Sequence, residues 1–504
     1  MLQDFAFYTW AQFTPAFVLV GIAAALLMVD TFAPRFPKQG LAVISALSAI
    51  VTGLFILPGD GGISLTGLAA LACIATGAAI LLGVDYHKVT CESVCGAGSQ
   101  EGTGEFYALP LVAAAGIFCL SQARDIVTLF VSLEVLTLSS YVLAGYFRRN
   151  RGSVEAGVKY LVLGALSTGL LVFGAAWYFG MTGSFSLSPA TLAVGFLSPG
   201  CITGILLAYV FLFAGAFFKV GAAPMHGWIP DVYQGAPTPV SIFLGVASKA
   251  AGFCVLILLF RPLYAILCEP AVGSLYTGRV FCFLTIIMAA TLLIGNLGAI
   301  PQSNVKRLLG YSSIGQAGFI LLLFLGIQTF EVPESGVGVE FVPLQHNVFY
   351  YLTAYGLATV PAFYAVALVR MSRGSEELSA FRGLAKTNPR LAFLITVCFA
   401  SLAGVPLTAG FIAKFRSFVA LLQGGSCSTL CWLLPIAVIC AAAGFYYYFK
   451  IIREMYWEKP LESDKPVTVP GISMAVLILC VLALIWFGSK PLFCASPQGL
   501  WFGF

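Results

Sequence analysis

Six side chains in this sequence could move a proton through an apolar medium. They are Glu134, Lys219, Lys249 and Lys414, with Lys159 and His226 as secondary candidates. All lie inside or beside long apolar runs, where holding a charge costs roughly 3 kcal/mol or more. Burial disfavours the charged form of a lysine, and a nearby carboxylate favours it. A lysine poised between these influences can release and regain a proton, which an arginine cannot do. Glu134, in DIVTLFVSLEVLTLSSYVLAGY, is the central carboxylate available to pair with Lys219. Lys249 and Lys414 have no acid partner in their own segments and are candidates for ready proton loss. His226 beside a lysine and a helix break has the chemistry of a relay. The competing reading is that the lysines snorkel to an interface; for Lys159 the two readings are evenly balanced. Arg416 reads as an end-of-helix or structural charge, and His87 and His346 as loop residues.

The segment that must position these groups runs from Phe217 to Phe253, FFKVGAAPMHGWIPDVYQGAPTPVSIFLGVASKAAGF. It carries Lys219 at the end of one apolar run and Lys249 inside the next, with Gly221, Pro224, Pro230, Pro237 and Pro239 between. Proline removes a backbone donor and clashes with the preceding turn, so the helix should lose regular bonding near Gly221 to Pro224. Freed backbone at membrane depth is tolerated only against protein or a water-filled cavity. A second break is expected near Gly404 to Gly410, where VPLTAGF precedes Lys414. The two breaks fall in the seventh and twelfth apolar segments. An odd offset of five gives them opposite orientation, as in inverted-repeat transporters.

Composition sets the surroundings. Of 504 residues, 60% are hydrophobic and 9% charged, against about a quarter charged in soluble domains. The mean hydropathy is +0.96. The chain reads as an all-α, polytopic membrane protein. About fourteen apolar runs approach the ~20 residues that span a bilayer, centred from near Ala23 to near Leu479. The first follows Asp4 without a basic flank and reads as a retained helix rather than a cleaved signal. Counting connections as alternating sides puts Arg35, Lys38, Lys88, Arg148, Arg149, Arg151, Lys306, Arg307, Arg370, Arg373, Arg382, Lys386, Arg390, Lys450, Arg453, Lys459 and Lys465 on one side. The other side receives Arg124, Arg261, Arg279, Lys490 and an acidic loop with Glu331, Glu334 and Glu340. By the positive-inside rule the first side is cytoplasmic and both termini face outward. The 14 cysteines are mostly single and inside apolar runs, as small buried hydrophobes. Cys91 and Cys95, in the polar stretch from Asp85 to Glu105, are expected in a loop and give a weak metal signal. Tyr146 and Tyr446 to Tyr448 read as interfacial aromatics. No Gly-rich phosphate loop, nucleophile triad, C-x-x-C-H or iron–sulfur cysteine spacing is present, so no redox centre, cofactor or metal is expected in this chain.

These residues carry a family resemblance. FKVGAAPMHGWIPDVYQGAPTPVSIFLGVASKAAGF, SLEVLTLSSYVLAGYFRR, SVEAGVKYLVLGALSTG, NVKRLLGYSSIGQAGFI and GVPLTAGFIAKFRSF resemble, in order over roughly residues 105–455, the antiporter-like membrane subunits of respiratory complex I. PDVYQGAPTPV and Lys414 are similar to the subunit N branch, since subunit M typically has a glutamate in place of that lysine. The chain ends soon after the fourteenth segment, without the lateral helix of subunit L. YYYFKIIREMYW resembles the photosynthetic relative too, in which ferredoxin replaces NADH.

The resemblance implies two inverted five-helix repeats. The expected divisions are 1–104 (three helices and a loop), 105–262 (segments four to eight), 263–460 (nine to thirteen) and 461–504 (the last helix). It implies that Glu134, Lys219, Lys249 and Lys414, and further Lys159, translocate protons while electrons pass from NADH to quinone elsewhere. FMN, iron–sulfur clusters and quinone are expected in partner subunits. Subunits M and K would flank the chain in a bacterial inner membrane, with lipid around it and no nucleic acid partner. Gln316 stands where many members have histidine, which puts a proton role there in doubt. Competing readings are a subunit of a multi-subunit Na⁺/H⁺ antiporter or membrane-bound hydrogenase, the ferredoxin-dependent relative, and a membrane scaffold with inert charges.

Overall fold

The computed structural model describes residues 10–33, 36–57, 65–95, 103–188, 199–268, 273–332, 336–340, 342–424, 427–460, 466–467 and 469–489. The fold is helical, built from α1 (Thr14–Phe32), α2 (Lys38–Ile56), α3 (Leu65–Cys95), α4 (Thr103–Ser121), α5 (Ile126–Ala144), α6 (Arg151–Thr182) and α7 (Pro199–Val220). After the first break come α8 (Trp228–Gly235), α9 (Thr238–Phe243), α10 (Lys249–Cys268), α11 (Gly273–Ala299), α12 (Val305–Leu322) and α13 (Val342–Arg373). Past a short helical connection follow α14 (Pro389–Ala403), α15 (Ala409–Gly424), α16 (Cys427–Tyr456) and α17 (Gly471–Ser489). Among the described residues, 12 helical spans are long and apolar enough to cross a membrane, and Pro389–Ala403 and Ser473–Ser489 are shorter apolar helices. Counting those two gives the fourteen segments.

Burial sorts the spans into a rim and a centre. The span Thr14–Phe32 is 22% buried and Arg151–Thr182 28%, whereas Thr238–Leu267 is 100% buried and Val305–Gly326 94%. The helix carrying Lys249 is therefore enclosed by protein on every side. Its entry is irregular: Leu244–Ser248 forms a π-helical turn, all of it buried, a local widening frequent at functional sites.

Two pairs of contacts show how the halves are built alike. Asp125 caps α5, accepting from Thr128 N at 2.7 Å, and Asn304 caps α12, accepting from Arg307 N at 3.0 Å. A side-chain oxygen at this position satisfies one of the free amides of the first turn. Each cap also bridges to the chain that follows the next helix: Asp125 to Ser186 and Asn304 to Glu377. The backbone bonds correspond one for one. Ile126 N donates to Phe185 O and Leu187 N to Arg124 O; Val305 N donates to Glu376 O and Leu378 N to Ser303 O. The segments α5 and α12 stand at corresponding places in the two halves, an odd number of spans apart, so the two constructions lie at opposite ends of the bundle.

Several sequence expectations are corrected here. The helix α3 runs through Cys95, so His87, Cys91 and Cys95 are helical rather than in a loop. No glycine or proline occurs between Gly83 and Cys95 to stop the helix earlier. His346 lies in the first turns of α13, not in a loop. The acidic stretch forms a two-stranded antiparallel hairpin, β1 (Gln328–Val332) with β2 (Gly336–Glu340). Tyr447 and Tyr448 are 1% and 0% exposed, and of the three only Tyr446, at 62%, faces outward as an interfacial aromatic would. Successive residues on a helix point about 100° apart, so three adjacent tyrosines cannot share one face. Both chain ends, Arg35, Glu334, Lys465 and Lys490 lie outside the described residues.

Candidate functional site

Both expected breaks are present, and neighbouring groups take up the backbone that each frees. Between α7 and α8, Ala223 N donates to Thr291 Oγ1 at 2.9 Å, and the Trp228 indole donates to Phe218 O at 2.8 Å. Between α14 and α15, Gly410 N donates to Ser401 Oγ at 3.2 Å. The carbonyls of Leu402 and Ala403, at the end of α14, each accept from Lys414 Nζ at 2.8 Å. A neutral indole serves the first break, whereas an ammonium sits on the negative end of the α14 dipole in the second.

Lys219, one residue before the end of α7, is 5% exposed. Its Nζ has no hydrogen-bond partner among the described residues. Instead it lies 5.8 Å from the centre of the Tyr141 ring, 5.6 Å from Tyr160 and 5.7 Å from Phe218. Aromatic faces attract a cation through their quadrupole but cannot accept its proton. Tyr141 and Tyr160 meet edge to face at 4.7 Å, closing the box.

The expected Glu134–Lys219 pair is not formed here. Among the described residues no ion pair joins them; Glu134 Oε1 accepts from Thr168 Oγ1 of α6 at 2.8 Å. Glu134 is half-buried, at the margin of an exposed stripe of Val127, Val131, Leu138 and Val142, which are 38%, 53%, 57% and 54% exposed. Tyr141, seven residues on and therefore on nearly the same face, fills the inner margin of that face, with its ring against Lys219.

Lys249 is 1% exposed. Its Nζ donates to the carbonyl and the hydroxyl of Ser313 on α12 and sits 5.1 Å from the Tyr355 ring centre. Gly252, one turn on, lets α10 press against α7: a Cβ there would come within 2.8 Å of Val220 Cγ1 and 3.1 Å of Lys219 Cβ. Lys219 and Lys249 are thereby held on adjoining faces. Neither they nor Lys414, 6% exposed, reaches the surface of the bundle, so none of the three snorkels.

The secondary candidates lie apart from this group. Lys159 pairs with Glu155 at 2.7 Å and with Asp231 at 2.8 Å, and Asp231 also binds Arg307 at 2.6 Å. His226 is half-buried in the turn before α8, and its Nδ1 has no hydrogen-bond partner among the described residues.

Sequence reading misses three features. Lys306, a loop charge by sequence, is 0% exposed; it pairs with Glu376 at 3.4 Å, which also pairs with Arg370. Its position at the start of a capped helix conceals that. Asp231, seated in a proline-rich stretch, gives no signal of being an ion-pair hub. Between Lys249 and Lys414 lie two clusters of uncharged polar groups, described below. Of their members, Tyr448 reads as an interfacial aromatic and Gln316 as a substitution of doubtful role.

Comparison with known proteins adds four findings. Residues 123–440 match the family model described as NADH:quinone oxidoreductase/Mrp antiporter, TM. The NADH-quinone oxidoreductase subunit N of Brevibacillus brevis is 33% identical over 518 residues, covering 97% of this chain and 94% of the relative. A chain of respiratory complex I from Thermus thermophilus with bound Aureothin superposes with a TM-score of 0.74 at 27% identity, over 95% of this chain and 98% of that one. An archaeal membrane-bound sulfane sulfur reductase has the same fold, with a TM-score of 0.74 at 23% identity over 95% and 94% of the two chains.

Proposed function

The chain belongs to the NADH:quinone oxidoreductase/Mrp antiporter family, as an antiporter-like membrane subunit of the subunit N branch of complex I, and from that premise we propose that it carries protons across the membrane while partner subunits move electrons from NADH to quinone. The observation that carries this reading is the burial of three lysines that have no carboxylate ion pair among the described residues: Lys219, Lys249 and Lys414. A core gains nothing from such charges, whereas a proton path needs groups that charge and discharge in turn.

The roles follow from the contacts. Lys219, among rings, has no acceptor beside it among the described residues and depends on Glu134 at a distance for the stability of its charge. Glu134, at the bundle edge, is placed to respond to a neighbouring subunit. As that neighbour draws Glu134 away, Lys219 holds its proton less firmly and passes it to Lys249 on the adjoining face. Lys249 passes it on toward Lys414. Each unit of change in proton affinity is worth about 1.4 kcal/mol, so a modest movement redirects the proton. Lys159, engaged with Asp231 and Glu155, sits at the rim of this path, and His226 at the break is its second peripheral member.

The same reading extends to the assembly. Residues 105–262 and 263–460 form the two inverted repeats, flanked by 1–104 and 461–504. FMN, iron–sulfur clusters and quinone belong to partner subunits. Subunits M and K flank the chain, the apolar stripe around Glu134 being one contact face. The membrane is the bacterial inner membrane, with both termini outward.

Lys219→Ala tests the path. The assembled complex should lose proton pumping and quinone reductase turnover, yet still oxidise NADH with an artificial acceptor that bypasses the membrane arm. Lys219→Arg should fail to rescue, because arginine keeps its proton. An assembled Lys219→Ala complex that pumps at the normal rate and stoichiometry would return Lys219 to a structural role.

A further inference from the structure

Among the described residues, the groups that hydrogen-bond between Lys249 and Lys414 are polar and uncharged, in two clusters. Ser313, which accepts from Lys249, also interacts with the Tyr355 hydroxyl. At the other end, Leu402 O accepts from Lys414 at 2.8 Å and from Gln316 Nε2 at 3.1 Å. The two donors share one carbonyl at the tip of α14. Gln316, 4% exposed, is held from two more sides. Tyr351 donates to its Oε1 at 2.5 Å, and its Nε2 lies 3.4 Å from the Tyr448 hydroxyl, which in turn bonds Ser312. Tyr355, Tyr351, Gln316, Ser401 and Leu402 surround a cavity of about 10 Å³, the size that admits one water when polar groups line it. Its lining thus includes Tyr355, whose ring lies beside Lys249, and Leu402, whose carbonyl binds Lys414.

We propose that Gln316, itself braced by the Tyr448 hydroxyl, is a positioning residue for proton transfer from Lys249 to Lys414, holding the Leu402 carbonyl and the Tyr351 hydroxyl around a single-water relay. This rests on the reading of both lysines as proton carriers. The proton leaves the Lys249 ammonium, whose electron pair stays on nitrogen. The Ser313 hydroxyl accepts it and gives up its own proton by way of the Tyr355 hydroxyl to the water, which gives one of its own protons to the neutral amine of Lys414. No bond to Gln316 forms or breaks, because an amide nitrogen is not basic. Its task is orientation: Nε2 donates while Oε1 accepts, which fixes the directions in which the hydroxyls point.

The experiment compares Gln316→Leu, Gln316→His and Lys414→Ala in the purified complex, checked for assembly by co-elution and reconstituted in liposomes with a pH-sensitive dye. Gln316→Leu removes donor and acceptor and should slow pumping about tenfold, the effect of one misplaced hydrogen bond on a barrier. Gln316→His supplies a donor and an acceptor on opposite sides of one ring and should restore most of the rate near pH 8. Below about pH 6.5, the ordinary imidazole range, its charge beside Lys414 should slow pumping again, a dependence that packing alone would not create. Tyr351 and Tyr448, the other titratable groups facing it, stay neutral across this range. Normal pumping by Gln316→Leu while Lys414→Ala is inactive overturns this inference alone. Equal slowing in Gln316→Leu and Gln316→His at pH 8 also overturns it, since the side chain then acts by volume. Normal pumping by Lys414→Ala overturns the reading beneath it.

Discussion

Asp231 and Lys414 occupy the same place relative to the two helix breaks, ten residues beyond Gly221 and Gly404 respectively. Both glycines have left-handed backbone, with φ of 76° and 92°, and both end their helices identically. Gly221 N bonds Phe217 O and Phe218 O, and Ala222 N bonds Phe217 O; Gly404 N bonds Ala400 O and Ser401 O, and Val405 N bonds Ala400 O. Yet one position carries an anion between Lys159 and Arg307, and the other a cation on two carbonyls.

Charge at these two places should therefore not be interchangeable. Lys414→Glu sets an acceptor against the carbonyls of Leu402 and Ala403, leaving a buried charge without a donor, at a cost of about 3 kcal/mol or more. The expected outcome is a sharp fall in the thermal stability of the detergent-purified complex, together with loss of pumping. Asp231→Asn breaks part-exposed ion pairs and should cost about 1 kcal/mol or less. Thermal melts showing the reverse order would contradict the assigned environments.

Gly404→Ala should harm more than its size suggests. An L-residue in left-handed backbone costs about 1–2 kcal/mol, and the new Cβ would lie 3.1 Å from Lys414 Cδ. Stability and pumping should fall together. Gly169, whose added Cβ meets nothing within 4 Å, provides the control: Gly169→Ala should be silent in both assays.

Glu376 makes the protein acid-sensitive. Burial raises its proton affinity, but Lys306 and Arg370 outweigh that and hold it below the ordinary glutamate value of 4.5. A carboxyl lowered in the folded state stabilises fully above its unfolded value and loses that contribution as pH falls through the folded one. Melting temperatures should drop as pH is taken below 4.5. Glu376→Gln should be destabilised already at pH 7, by about 3–5 kcal/mol, because Lys306 is left buried and unpaired. In that variant the acid step should shrink.

Orientation can be checked by labelling. Single cysteines beside Arg149, Arg382 and Lys459 should react with an impermeant maleimide only from the cytoplasmic side, following the loop charges. Labelling at Arg382 from the outside would contradict the fourteen-segment arrangement.

What the sequence determined by itself was whatever depends on local chemistry. Apolar length marked the spans, glycine and proline marked both breaks, and lysines at membrane depth marked the candidate site, because each of these signals is carried by residues adjacent along the chain. The tertiary structure decided what depends on which face meets which. The packing of α5 against α6 and α7 engaged Glu134 with Thr168 and set the Tyr141 ring against Lys219, so an aromatic box stands where the pair was expected. Helix phase sent Tyr446 outward and Tyr447 and Tyr448 inward. Lys306 reads as a loop charge until α13 and its following loop bring Glu376 against it. Gln316 reads as an inert replacement, and only the convergence of α12, α13, α14 and α16 around Leu402 O gives it partners. Such contacts join residues 86 and 132 positions apart in the chain, a distance over which periodicity and spacing carry no information.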